Sequence, residues 1–124
     1  MSHGKQVLAD LSDPAARLRH MIPTVYEGFS HTHKAALGAG ALDTKSKELI
    51  AFAIGVAQTC DGCIASHARG AARAGATPEE AAEAIGVTIL MTGGPGTVYG
   101  PRAFEAFMEF REQYDRSAGE KDQS

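Results

Sequence analysis

The stretch Gln58-Thr59-Cys60-Asp61-Gly62-Cys63-Ile64-Ala65-Ser66-His67 carries the reading of the whole chain. Immediately before it, Leu49 to Ala57 is apolar nearly all round and reads as a buried central helix. Gln58-Thr59 ends that helix, and a new one is expected to begin near Cys60. At about 100° per residue, Cys60, Cys63 and His67 then share an arc of roughly 60°. Cysteines three apart on such a turn have α-carbons roughly 5 Å apart, within the range a disulfide accepts. The pair can close and open with little backbone movement, as a redox dithiol must. Its place in a first helical turn adds unpaired N–H groups and the positive end of the dipole, which stabilise a thiolate. His67 is one turn beyond Cys63 and two beyond Cys60, which makes Cys63 the better candidate for an activated nucleophile. Asp61 is expected to point to solvent.

Outward from this stretch the pattern stays helical, and nowhere do apolar and polar residues alternate long enough for a strand. Asp13-Pro14 reads as a helix start. Leu18, Ile22, Val25 and Phe29 recur at helical spacing, with a break or restart at Pro23. Gly38 and Gly40 end that piece, and Asp43 or Thr44 caps the next. Ala65, Ala68, Ala71, Ala72 and Ala74, with Gly70, make a slender helix suited to close packing, with Arg69 and Arg73 facing solvent or a subunit boundary. Gly75 suits the position just past a helix end. Thr77, Pro78 and Glu80 then form a capping box with proline in the first turn. That helix carries Ala81, Ile85, Thr88 and Met91 and stops at Gly93-Gly94-Pro95. After Pro101 a last amphipathic helix directs Phe104, Phe107, Met108 and Tyr114 towards the core. The expectation is an all-α fold: a single compact domain of five to six helices over residues 1–124, with residues 1–10 and 117–124 as loose polar termini.

The totals narrow the function. With 124 residues and a formal net charge of −3, the chain lacks the basic footprint of a nucleic-acid binder. No apolar run is long enough for a membrane span, and Met1 to Asp10 does not read as a signal peptide. A cytoplasmic location is expected, where a cysteine pair is more often catalytic, redox-sensing or metal-binding than a structural staple. A zinc site is the rival reading, but only three ligands are in view where structural sites usually take four. Two small buried apolar cysteines are the blander one. A thioredoxin-type motif would need strand–helix units that are absent. Neither metal nor cofactor is expected. His31 and His33, two apart and so on different faces, read as solvated. A chain this short leaves apolar surface uncovered, so it is expected to oligomerise through helical faces.

Glu48, twelve residues before Cys60, completes a pattern with Cys60-x-x-Cys63-x-x-Ser66-His67. This pattern resembles the active-site signature of the alkylhydroperoxidase D group within the carboxymuconolactone decarboxylase-like superfamily. The similarity runs on through Gly75-Ala76-Thr77-Pro78-Glu79-Glu80 and the later Gly-Gly-Pro, about the middle half of the chain. The resemblance implies an alkylhydroperoxidase D-like helical fold and a thiol-dependent peroxidase, a disulfide oxidoreductase that reduces a hydroperoxide. In that cycle Cys63 becomes a sulfenic acid and Cys60 resolves it, with Glu48 and His67 as the proton relay. It also implies an external dithiol reductant, a lipoyl-bearing protein in the family's best-known members, and a homo-trimer or homo-hexamer. Two features depart from the family's peroxidases: this chain has room for one helical unit where those often have two, and Gly62 stands where some carry a histidine. Two other functions fit the residues. One is a non-enzymatic redox sensor or partner-binding module. The other is a carboxymuconolactone decarboxylase-like enzyme acting on a small lactone acid, a branch that does not use a CxxC pair.

Overall fold

Helix ends are the most local feature of this chain, and most of them fall where capping chemistry puts them. A computed structural model describes residues 2–123. It contains α1 (Lys5–Met21), α2 (Pro23–Leu37), α3 (Thr44–Ala57), α4 (Asp61–Arg73), α5 (Pro78–Thr92) and α6 (Gly94–Gln123), with no strand among the described residues. Pro23 takes the first turn of α2, directly after Ile22. Asp43 accepts the Ser46 N–H at 2.7 Å to start α3. The Thr77–Glu80 capping box is present in both directions, at 3.0 and 3.1 Å. Gly75, at φ +93°, turns the chain out of α4 in the left-handed conformation glycine adopts without strain. No helix among the described residues is long and apolar enough to cross a membrane.

Three boundaries differ from the expectation, two because a distant contact outweighs a local signal and one because the local signal is weak. α1 does not begin at Asp13-Pro14; it begins at Lys5 and runs through Pro14. Its N-terminus is held by Glu109 of α6, whose carboxylate accepts the Ser2 hydroxyl at 2.8 and 2.9 Å and the Gly4 N–H at 3.2 Å. A carboxylate from over a hundred residues away thus adds to the local Ser2 hydroxyl, which itself accepts the Gln6 N–H at 3.2 Å. Residues 5–10, expected loose, are therefore helical. The last helix likewise begins at Gly94, before Pro101. Gly96 and Gly100 let α6 lie close on α5, where a Cβ on Gly100 would come within 2.9 Å of Ile85. That packing outweighs the hydrogen bond Pro101 cannot donate. At the other end, residues 117–123 continue α6, because Gly119 alone is too weak a breaker to stop a helix made mostly of good formers. The expectation for Met1 and Ser124 lies outside the described residues.

The core lies among α3, α4, α5 and α6. Phe52, Val56, Ile64 and Phe107 are its largest fully buried side chains, with the Phe52 and Phe107 rings 6.4 Å apart. Burial of side chains this size contributes about 1.5–3 kcal/mol each. Ala65, Ala68, Ala71 and Ala72 are buried along α4, which lets its neighbours approach closely, as the small residues suggest. Arg111 of α6 donates to the carbonyls of Ala72 and Ala76 at 2.9 and 3.1 Å, tying down the end of α4. Lys45 and Glu80 pair at 2.9 Å between the first turns of α3 and α5. The Lys45 ammonium, and then the Thr77 N–H, hold the Glu80 carboxyl below its ordinary range.

α1 and α2 form an outer layer with no fully buried residue in either helix. Leu18, Val25 and Phe29 are at least half exposed, and on α5 so are Leu90 and Met91. α2 is tied to α3 at its end, where Thr44 donates to the Leu37 carbonyl and Lys47 to that of Gly38. Replacing Glu109 by Ala should strip the start of α1 of its carboxylate acceptor, leaving only the Ser2 hydroxyl. The expected cost is about 1–2 kcal/mol, as for a charge-assisted capping interaction. A lower melting temperature together with faster amide exchange confined to the start of α1 is the predicted result, and unchanged exchange there would remove Glu109 from the capping role.

Candidate active site

The chain leaves α3 through a tight reversal that places Cys60 at the start of α4. Thr59 N–H bonds back to the Val56 carbonyl at 3.1 Å and Cys60 N–H to that of Gly55 at 3.0 Å. These two bonds require a left-handed residue between the helices, and Thr59 supplies it at φ +52°, an uncommon conformation for a β-branched residue. Cys60 follows as the N-cap of α4, its sulfur accepting the Cys63 N–H at 3.3 Å. The two cysteines are joined in a disulfide with α-carbons 5.3 Å apart, matching the spacing expected of a helical first turn. Cys63 is the exposed member and Cys60 the half-buried one, and Asp61 faces solvent.

Gly55 explains how the dithiol comes to lie against α3. A Cβ at Gly55 would come within 3.2 Å of the Ile64 nitrogen and 3.3 Å of the Cys63 Cβ, so only glycine lets α4 enter so closely there. One turn further along α4, His67 Nδ1 lies 2.8 Å from Oε2 of Glu48, whose residue is only 7% exposed. The sequence pattern places these residues twelve and four positions from the cysteines; the structure brings them into direct contact between α3 and α4. A carboxylate oxygen accepts in such a pair, which puts a hydrogen on Nδ1; in the neutral ring the lone pair is then on Nε2. Among the described residues no three His, Cys, Asp or Glu side chains are grouped as a metal ion would require.

Several residues of the site carry no signal in the sequence. Gly70, read there as part of a slender helix, makes the cavity for the Glu48 carboxylate: a Cβ at Gly70 would overlap the carboxylate carbon and both oxygens. His33, read as solvated, is exposed, yet its ring stacks on His67 with centroids 5.9 Å apart and planes at 18°. Phe29 lies beside His33 at 6.3 Å. Leu11 of α1 leans over the turn between the cysteines, 3.1 Å from where a Cβ on Gly62 would be. Apart from Phe29 and His33, which are four apart on α2, these contacts join separate helices and have no spacing rule behind them.

Gly70 should invert the usual effect of filling a helical glycine. At Gly86, where a Cβ meets nothing within 4 Å, alanine should stabilise by about 0.5–1 kcal/mol through propensity alone. At Gly70 the same change should destabilise by about 1–3 kcal/mol, because the buried carboxylate must move. Melting temperatures of the two variants check this, and a Gly70→Ala protein as stable as Gly86→Ala would mean that Glu48 does not depend on that space.

The sequence profile of the carboxymuconolactone decarboxylase family matches residues 23–107. An uncharacterized protein of Cupriavidus necator is 36% identical over 103 residues, covering 83% of this chain and 91% of its own length. Another, from the cox locus of Paracoccus denitrificans, is 33% identical over 107 residues, covering 82% and 96%. Among solved structures, a carboxymuconolactone decarboxylase family protein from Legionella pneumophila superposes with a TM-score of 0.82 at 42% identity, over 86% of this chain and 95% of that one. A putative carboxymuconolactone decarboxylase from Burkholderia xenovorans, at 23% identity and a TM-score of 0.69 over 96% and 92%, shares the fold. By its helices and its sequence, this chain belongs to the carboxymuconolactone decarboxylase family.

Proposed function

We propose that the protein is a thiol-dependent peroxidase in which Cys63 is oxidised, Cys60 resolves it, and Glu48 and His67 move the protons. The observation that carries this reading is the 2.8 Å Glu48–His67 hydrogen bond set one helical turn behind the Cys60–Cys63 pair. In the reduced protein, His67 Nε2 takes the Cys63 proton while Glu48 holds the ring through Nδ1–H. The thiolate attacks the distal oxygen of a hydroperoxide, the O–O bond breaks, and His67 returns a proton to the departing alkoxide. The products are an alcohol and a Cys63 sulfenic acid. Cys60 then attacks the Cys63 sulfur, forming the disulfide and releasing water. An external dithiol restores both thiols by exchange and is itself oxidised to a disulfide. By family resemblance its natural form is a lipoyl-bearing protein.

Exposure supports these roles, since the accessible sulfur is the one that an incoming peroxide meets. Gly62 stands where some of the family carry a histidine, with Leu11 packed beside it, and the relay in this reading is Glu48 and His67. The exposed apolar rows on α1, α2 and α5 support assembly into a homo-oligomer, a trimer or hexamer by resemblance.

The family's name favours a second reading, a decarboxylase of a lactone acid. It leaves both cysteines without a task. Turnover of hydroperoxide with a dithiol reductant is the deciding measurement. Many equivalents consumed per protein mark an enzyme, whereas a redox sensor stops after one. Cys63→Ser should abolish turnover. Cys60→Ser should stop after one equivalent with a sulfenic acid on Cys63, detectable by mass spectrometry as one added oxygen. Glu48→Gln should slow Cys63 oxidation by roughly a hundredfold, in the range expected for loss of a proton-transfer group. Full activity in Cys63→Ser would overturn the assignment, and lactone decarboxylation undiminished in that variant would favour the second reading.

A further inference from the structure

A groove of about 700 Å³ opens between the α1–α2 layer and α4, and its lining is chemically uneven. Tyr26 and Phe29 give it an apolar wall, and His33, whose ring stacks on His67, also lines it. Arg19 of α1 and Arg69 of α4 also line it, opposed by the one carboxylate of Glu27. The Arg19 guanidinium lies over the Tyr26 ring at 5.4 Å, which places it, and among the described residues no protein acceptor takes its N–H donors. Arg69 has no hydrogen-bond or ion-pair partner among the described residues. Two arginines with no protein acceptor among the described residues, on α1 and α4 beside an aromatic wall, suit a planar carboxylate on an apolar chain.

We propose that this groove binds the carboxylate of an amphipathic substrate, so that the preferred hydroperoxide is that of a medium- or long-chain carboxylic acid. The inference rests on the peroxidase reading for the reacting end of the ligand, though not for its carboxylate. Arg19 and Arg69 hold the carboxylate, and Tyr26 and Phe29 lie along the chain. The reacting end passes His33 towards His67 and Cys63. Arg69 is six residues beyond Cys63 on α4, about 9 Å along the helix axis. A short hydroperoxide cannot span that separation and gains nothing from the arginines.

Two measurements test this, and they fail independently. The first needs no peroxide chemistry: calorimetric binding of octanoate and of octanol to the reduced protein. Octanoate should bind the wild type roughly tenfold more tightly than octanol, as charge-assisted pairing to guanidinium predicts. The Arg19→Gln/Arg69→Gln double variant should lose that difference, and Glu27→Gln should bind octanoate more tightly than wild type. A gain in affinity is not something general damage to the fold produces. Octanoate bound no better than octanol, or equally by wild type and the double variant, overturns the proposal. The second measurement is kcat/KM for linoleic acid hydroperoxide against its methyl ester. The wild type should favour the acid and the double variant should bring the ratio close to one; an unchanged ratio also overturns the proposal. If octanoate behaves as expected but no hydroperoxide is turned over, the peroxidase reading is the one that falls and the carboxylate groove stands.

Discussion

A carboxylate placed under a neighbouring helix has to be given room and a donor, and the arrangement of α3 and α4 meets both needs for Glu48. The room is Gly70, where any side chain would overlap the carboxylate. The donor is His67, at 2.8 Å. Because a buried polar group without a partner is costly, this bond fixes the rotation and register of the two helices against each other. Gly55 does the same at the other end of the contact, admitting Cys63 against α3. The cysteine pair, the histidine and the glutamate are therefore positioned by one helix–helix seam with a glycine at each end.

The seam also explains why the intervening turn adopts an uncommon conformation. α3 must stop and α4 must start almost at once if Cys60 is to cap the new helix while Cys63 remains beside Gly55. A left-handed residue makes that reversal, and here it is a threonine, whose backbone conformation is disfavoured for a β-branched side chain. Packing of Phe52, Val56 and Ile64 on either side of the turn supplies the compensating energy. Local strain and the dithiol share one place in the chain.

Around this seam the molecule has two unequal parts. The helices α3 to α6 enclose the buried side chains, whereas α1 and α2 lie across them with little burial of their own. The outer pair is retained by polar ties at its ends, Glu109 to the start of α1 and Thr44 and Lys47 to the end of α2. It is also the part that meets the site from outside, through Leu11 above Gly62 and His33 on His67. A layer held at its edges is suited to shaping access to the cysteines without contributing much to the stability of the core.

What the sequence determined by itself follows from short-range physics. The capping residues Asp43, Thr77 and Glu80, the breaks at Pro23, Gly38 and Gly75, and the spacing of Cys60, Cys63 and His67 all act within a turn or two of chain. They are legible because the groups that satisfy one another are near in sequence. Glu48 was legible only as part of a pattern; nothing local distinguishes it from a glutamate favoured in any first turns of a helix. The tertiary structure alone decided where α1 and α6 begin, since Glu109 and the close packing of Gly96 and Gly100 act across helices and outweigh Pro14 and Pro101. It alone assigned Gly70 to the Glu48 carboxylate and His33 to His67. A glycine's lack of a side chain has no meaning until it is known what fills the space, and that is a property of the neighbouring helix.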